Sequence, residues 1–282
     1  MNSKFEAITQ QLIKLLEQGV NPWQKPWGNY SLPRNITTGK EYGGNNPWIL
    51  SIQAWAMGLT SPWYITFNQA KGLGWKIIKG SKASNVCYAG HINTEDKETG
   101  EEKSYRTFKW FSVFSLDQVD DSNGKITKEE QIAKWGLQSN PDEKVGKAEA
   151  FIAKLGAKIE HGHGKAAYSP SQDRIILPRF EDFQSKEGYY ATLVHELVHW
   201  TGHESRLNRN LKGGFGSETY AFEELVAEIG SWGICEELGI SSQPENHASY
   251  IESWLRVLKG NPGKLQEAAK LASQAEKFLT GC

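Results

Sequence analysis

Cysteine is scarce in this chain. Cys87, Cys235 and Cys282 are the three among 282 residues, widely separated and in no C-x-x-C pair. This excludes a disulfide framework and a cysteine zinc site, and it fits a reducing cytoplasm. No run approaches 18 apolar residues, so no membrane-spanning helix is expected. The opening Met1-Asn2-Ser3-Lys4-Phe5-Glu6 lacks the apolar core of a signal peptide. Net charge is nearly absent, −1 from 32 Lys/Arg and 33 Asp/Glu. There is no internal repeat and no low-complexity tract, which argues against a solenoid or a long disordered tail.

Aromatic residues are plentiful: 11 Trp, 11 Phe and 10 Tyr. The length allows two domains of ordinary size, each with a folded core. Charge is also unevenly spread. Residues 1–90 hold nine Lys/Arg against Glu6, Glu17 and Glu41, a local excess of six positive charges. Such an excess points to an anionic partner for the first part of the chain.

The most informative segment is Ala191-Thr192-Leu193-Val194-His195-Glu196-Leu197-Val198-His199-Trp200. Its apolar residues suit a buried helix. Histidines four apart on a helix lie about 40° from each other, so His195 and His199 can reach one ion. Glu196 between them is placed to act as general base on a water at an open zinc position. The blander reading is a core helix with two hydrogen-bonded histidines, but two close buried imidazoles most simply share a cation.

Catalytic zinc usually has three protein ligands. The third is expected from Tyr220-Ala221-Phe222-Glu223-Glu224-Leu225-Val226-Ala227-Glu228-Ile229, a second helical run in which Glu224 and Glu228 share a face. Glu224 is the preferred ligand. Glu228 is assigned to support a ligand histidine, or to replace Glu224 as the ligand. His203 is a rival, set back by Gly202 and by a spacing unlike that of metzincins. Tyr220 is a candidate for oxyanion stabilisation, though packing is the simpler role. An extended substrate is expected to pair with a strand at Arg174–Leu177.

The patterning predicts an α+β protein of two domains, 1–135 and 141–282. Ser3 and Glu6 form a capping box for a first helix that runs to Gly19. Helices are also expected over 48–57, 142–155, 246–259 and 262–279. Strands are expected at 63–67, 75–78, 86–88, 106–114, 166–170 and 173–178, with Asn93–Ser104 as a mobile hairpin tip.

Six tryptophans fall within the basic first 90 residues. Aromatic faces that stack bases and lysines that neutralise phosphates suit single-stranded DNA. The stacking candidates are Trp23, Trp27 and Tyr42. The phosphate candidates are Lys76, Lys79 and Lys82 around a turn, with Arg34 and Lys40 beside a Gly-rich loop. No helix-turn-helix or CxxC finger signal points to groove reading of duplex DNA.

Long composite motifs give the chain a family resemblance. They include Asn21-Pro22-Trp23, Pro26-Trp27, Asn35-Ile36-Thr37-Thr38-Gly39-Lys40-Glu41-Tyr42-Gly43-Gly44-Asn45-Asn46, Trp63-Tyr64-Ile65-Thr66-Phe67-Asn68-Gln69-Ala70 and Lys79-Gly80-Ser81-Lys82. The histidine and glutamate helices complete the set. Over nearly its whole length the chain resembles the ArdC-type antirestriction proteins of conjugative plasmids, with relatives in phages and in the N-terminal parts of TraC primases. The resemblance implies an N-terminal single-stranded-DNA-binding domain and a C-terminal zincin-like metallopeptidase domain. It implies a role in protecting incoming DNA from host restriction during conjugation or infection. It does not decide between Glu224 and Glu228. An alternative is a DNA-coating protein whose metal is structural. A primase-associated module is disfavoured, because no primase domain follows in this sequence.

Overall fold

The computed structural model of the chain describes residues 3–20, 32–95, 102–136, 141–162, 164–214, 216–240 and 248–281. The fold is α+β. Its first part contains α1 (Ser3–Glu17), β1 (Arg34–Asn35), α2 (Asn46–Met57), β2 (Trp63–Ile65), α3 (Phe67–Leu73), β3 (Lys76–Ile77), β4 (Ser84–Glu95), β5 (Glu102–Ser115), β6 (Val119–Asp120) and α4 (Lys128–Ala133). Its second part contains α5 (Pro141–Ile152), β7 (Lys158–His161), β8 (Ala167–Ser169), β9 (Arg174–Leu177), α6 (Lys186–Thr201), α7 (Glu218–Leu238), α8 (Ala248–Gly260) and α9 (Gly263–Thr280).

The first part is built on a sheet of order β1-β2-β5-β4, with β3 and β6 paired separately. The strand expected at 63–67 stops at Ile65. There Thr66 turns the chain into α3, its hydroxyl accepting from Gln69 N while Gln69 Oε1 accepts from Thr66 N. Local capping thus outcompetes continuation of the ladder. The β4–β5 arm is longer than its sequence pattern implies. Pairing persists to Glu95↔Glu102, so 93–95 and 102–104 of the expected mobile tip are strand, while 96–101 lie outside the described residues.

Strand β4 ends the sheet, and an open edge invites unwanted pairing. Helix α2 covers the inner end of this edge, at Asn85 and Cys87, with side chains. Gln53 accepts from Asn85 N at 2.8 Å and donates to Asn85 O at 3.0 Å. Asn46, two helical turns earlier, accepts from Cys87 N at 2.6 Å and donates to Cys87 O at 2.9 Å. The two amides stand in for a neighbouring strand.

The second part pairs β7, β9 and β8 in that order, with β9 in the middle. Strand β7 was not anticipated. Lys158-Ile159-Glu160-His161 lacks an apolar run and is drawn into strand form by parallel pairing with β9. Helices α6 to α9 then pack into the main core. Helix α6 is capped by Ser185 and α7 by Ser217, each accepting from a backbone N–H three residues on.

One apolar core joins the two parts. Phe5, Ile8, Leu12, Trp48, Ile49 and Ile52 of α1 and α2 lie in the same buried cluster as Leu193, Leu197, Leu225, Trp232, Trp254 and Leu265. The sheet has its own smaller clusters, one around Trp63, Ile65 and Trp75, another around Tyr42, Tyr64 and Val113. The chain boundary near residue 136 therefore is not a boundary between cores. Gly230 lets α6 and α7 approach closely, since a Cβ there would lie 3.2 Å from both Val198 methyls.

Candidate metal centre

Close packing of α6 on α7 sets the two motif helices face to face. His195 Nε2 lies 3.5 Å from Glu224 Oε2, and His199 Nε2 lies 3.4 Å from Glu224 Oε1. Ligands bound at about 2.0–2.1 Å to a tetrahedral zinc lie about 3.3–3.4 Å apart, so these separations suit one small cation. One ligand atom from each of His195, His199 and Glu224 fits within 4.8 Å of the others. All three side chains line a cavity of about 250 Å³, as does Glu196. The residues present fit a divalent ion with room beside it for a water and a substrate.

The remaining ring nitrogens face carboxylates, that of His199 within hydrogen-bond distance and that of His195 beyond it. His199 Nδ1 is 3.2 Å from Glu223 Oε1. Glu223 is in turn held by a buried guanidinium, Arg209 Nη2 donating to Oε1 at 2.7 Å and Nε to Oε2 at 3.0 Å. Arg209 also donates to Thr201 Oγ1 at 2.8 Å and to Val198 O at 2.7 Å, at the C-terminal end of α6. On the other side, His195 Nδ1 lies 3.7 Å from Glu228 Oε1. Carboxylates behind ligand histidines orient the rings and raise their basicity. Glu228 therefore sits behind a histidine and Glu224 sits between the two. Glu223 and Arg209 were missed. The doublet Glu223-Glu224 was a usable signal, since adjacent helix positions lie about 100° apart and can serve two sides of one ring pair. Arg209 lies in a loop without periodicity and left none.

Electrostatics follow from this crowding. Burial opposes charge on Glu224, but the two imidazoles hold its carboxyl well below the usual range. Burial likewise opposes protonation of His199, yet Glu224 and Glu223 lift it well above an ordinary histidine. Burial pushes the Glu228 carboxyl up to about 8. Without an ion the cluster thus shares protons, which a bound cation would displace.

The other expected positions separate clearly. His203 lies in the turn after α6 with its Nδ1 2.8 Å from Ser205 Oγ, outside the group that can converge on one ion. Tyr220 lines the cavity, its hydroxyl 3.3 Å from that of Tyr250. Burial, with Glu224 nearby, raises the Tyr220 phenol so that it remains a protonated donor. The strand at Arg174–Leu177 cannot accept an extended substrate, because β9 is flanked by β7 and β8. The sheet edge facing the cavity is β8, whose Ala167 and Tyr168 line it.

In the first part, Tyr42 is 4% exposed and packs edge-on against Tyr64, so it offers no open face for stacking. Arg34 is tied to Glu41 and to Gly39 O. Lys40, Lys76, Lys79 and Lys82 are exposed. Trp23 and Trp27 lie outside the described residues. Sequence reasoning singled out neither Tyr88 nor Phe111, which stand 47% and 48% exposed on the β4–β5 arm.

Two motif helices supplying His-Glu-x-x-His and a glutamate, beside a small sheet, define a zincin-like domain, and residues 146–271 match the family described as zincin-like metallopeptidase. Such a domain implies a divalent metal. Residues 2–114 match the N-terminal domain of the anti-restriction factor ArdC. The crystal structure of the antirestriction protein ArdC from plasmid R388, metal-free, is 36% identical with a TM-score of 0.74, covering 98% of this chain and 96% of that one. Its Mn(II)-bound form is 34% identical with a TM-score of 0.72, covering 98% and 97%. The chain belongs to the ArdC antirestriction family. It is also 37% identical to a DNA primase TraC of Escherichia coli over 97% of its own length, but spans 27% of that relative. Protein y4eC of Sinorhizobium fredii is 33% identical, with 98% of this chain and 91% of that protein aligned. Among the described residues no helix is long and apolar enough to cross a membrane.

Proposed function

We propose that the chain is an antirestriction protein that binds single-stranded DNA through its first part and holds one zinc ion at His195, His199 and Glu224, with peptide hydrolysis as the chemistry of that site. The metal reading is carried by one observation: both histidine Nε2 atoms lie 3.4–3.5 Å from Glu224, at a cavity that Glu196 also lines. When bound, the ion would supply a Lewis acid and lower the pKa of a water. Glu196 would take that water's proton and deliver it to the leaving amine. Glu223, held by Arg209, would keep the His199 ring oriented with Nε2 toward Glu224. An extended peptide would pair with the β8 edge, and Tyr220 would offer its hydroxyl to the developing oxyanion.

The DNA reading is supported by the match to the ArdC N-terminal domain and by the positive excess of residues 1–90. Glu196 beside the histidines favours a catalytic over a purely structural metal, since a structural site needs no base. Elemental analysis of the wild type beside His195→Ala and Glu224→Ala tests the ligand set. Glu196→Gln should retain metal and DNA binding while losing peptide cleavage. Cleavage at the wild-type rate would remove the general-base role.

A further inference from the structure

Resting on the single-stranded-DNA reading, we propose where the strand docks: Tyr88 and Phe111, on one face of the β4–β5 arm, form the platform on which its bases stack. Directly paired residues and residues two apart along a strand share a face. Tyr88 pairs with Lys109, Val86 with Phe111, and Ser84 with Val113. Tyr88, Lys109 and Phe111 therefore continue the face whose inner residues, Val86 and Val113, are buried with Tyr42, Leu50 and Tyr64. The covered face ends where these rings begin. Each ring leaves about half of its surface to solvent, at the position where the sheet loses its apolar cover.

The two rings meet edge to face, with centroids 5.7 Å apart and planes at 74°. This contact restrains both side chains before a ligand arrives, which lowers the entropy lost on binding. The ground beside Tyr88 is open. Asn46 ties the end of the Gly-rich loop to Cys87, next to Tyr88. A Cβ at Gly43 or Gly44 would meet nothing within 4 Å, and Gly44 has φ +61°, a conformation that favours glycine. A sugar–phosphate chain can approach the backbone closely there. Lys109 is exposed on the same face, directly across from Tyr88, and exposed Lys40 precedes the Gly-rich loop in the segment of positive excess. Two rings set among lysine and glycine do not make the continuous apolar surface that a folded protein partner would cover. They match a ligand with flat π-faces and negative charge.

The test is fluorescence anisotropy of a labelled oligothymidylate against the full-length, metal-loaded protein at several salt concentrations. Tyr88→Ala/Phe111→Ala should weaken binding about ten-fold or more. The slope of log K against log salt should stay unchanged, because no phosphate contact is lost. Tyr88→Trp, with a larger stacking face, should tighten binding. Lys76→Ala/Lys79→Ala/Lys82→Ala should instead flatten the slope. Both rings are exposed, so circular dichroism and metal content should match the wild type in the double variant. If the wild type binds the oligonucleotide and the double variant binds it equally well, the platform is wrong while the DNA reading stands. If the wild type binds no single strand at any salt, the DNA reading itself falls. A drop in oligomeric mass of the double variant by light scattering would assign the face to a second copy and overturn the proposal.

Discussion

Helices α6 and α7 and the β4–β5 arm treat polar and aromatic groups in opposite ways. The helix pair buries its charges. Glu196, Glu223, Glu224 and Glu228 are all buried, and each sits near a histidine, an arginine or the cavity. The arm exposes large rings that a core would normally claim. Buried charge is tolerated only where partners satisfy it, so the helix pair is a site specified by fixed pairings. An exposed aromatic pair costs little in the free protein and has π-faces to offer a ligand. The first arrangement suits a small ion in a fixed geometry. The second suits a flexible polymer with repeating flat groups.

The sharpest way to break this comparison is to remove the carboxylate on which both histidines converge. Glu224→Ala should lower metal content from about one ion per chain to near zero after dialysis, read by elemental analysis. Full retention would mean that the ion, if any, is held elsewhere. Next in size is a test of whether the two parts behave as one body. Leu12 of α1 is fully buried in the core shared with α7 to α9. Leu12→Ala should cost about 2–5 kcal/mol and shift a single thermal transition. Two transitions, with the metal-dependent one unmoved, would show that the parts fold independently.

A smaller effect should separate the support of a ligand from the ligand itself. Glu223→Gln keeps the side chain's size but weakens its grip on His199. Metal affinity, measured by chelator competition, should fall about 10–100-fold, with a residual site still filled at saturation. Arg209→Lys keeps the charge but loses the two-pronged contact to Glu223, and should fall between wild type and Glu223→Gln. Unchanged affinity in both would leave Arg209 with the single task of tying its loop to α6.

The smallest expected effect concerns pH, and it should appear only in the helical part. Glu276 of α9 lies against Gly233 of α7, where burial, with Glu237 nearby, pushes its carboxyl up to about 8. A raised folded-state pKa favours the folded protein fully below the unfolded value of about 4.5, and the benefit is lost as pH rises through about 8. Glu276→Gln should therefore melt close to wild type at pH 5 and more stably at pH 9, by at least about 1 kcal/mol. Equal midpoints at both pH values would show that this carboxyl is as well solvated as one on the arm.

How far this was legible from the residues depended on the range of the interactions. His195, Glu196 and His199 share one helical turn, so 3.6-residue geometry alone brought them together. Glu224 was reachable because its own helix also had a clear period. Arg209 was not, because it joins Glu223 only after the loop following α6 has folded back. Tyr42 looked like a surface aromatic beside glycines and turned out to be core, since its environment is set by Leu50, Tyr64, Val86 and Val113 from four other elements. Tyr88 and Phe111 looked like ordinary strand residues, because alternation reports that two faces exist without telling where the cover on one of them ends.

Local order by itself determined the helix periods, the clustering of His195, Glu196 and His199 on α6, most strand positions and the uneven charge. Those are properties of neighbours a few residues apart, written directly into spacing. Only the tertiary structure decided which glutamate stands between the imidazoles, which strand presents a free edge to the cavity, and that α1 and α2 share a core with the metal-site helices. Each of these depends on how elements distant in the chain pack together, and close packing selects one such arrangement from many that the same local patterns allow.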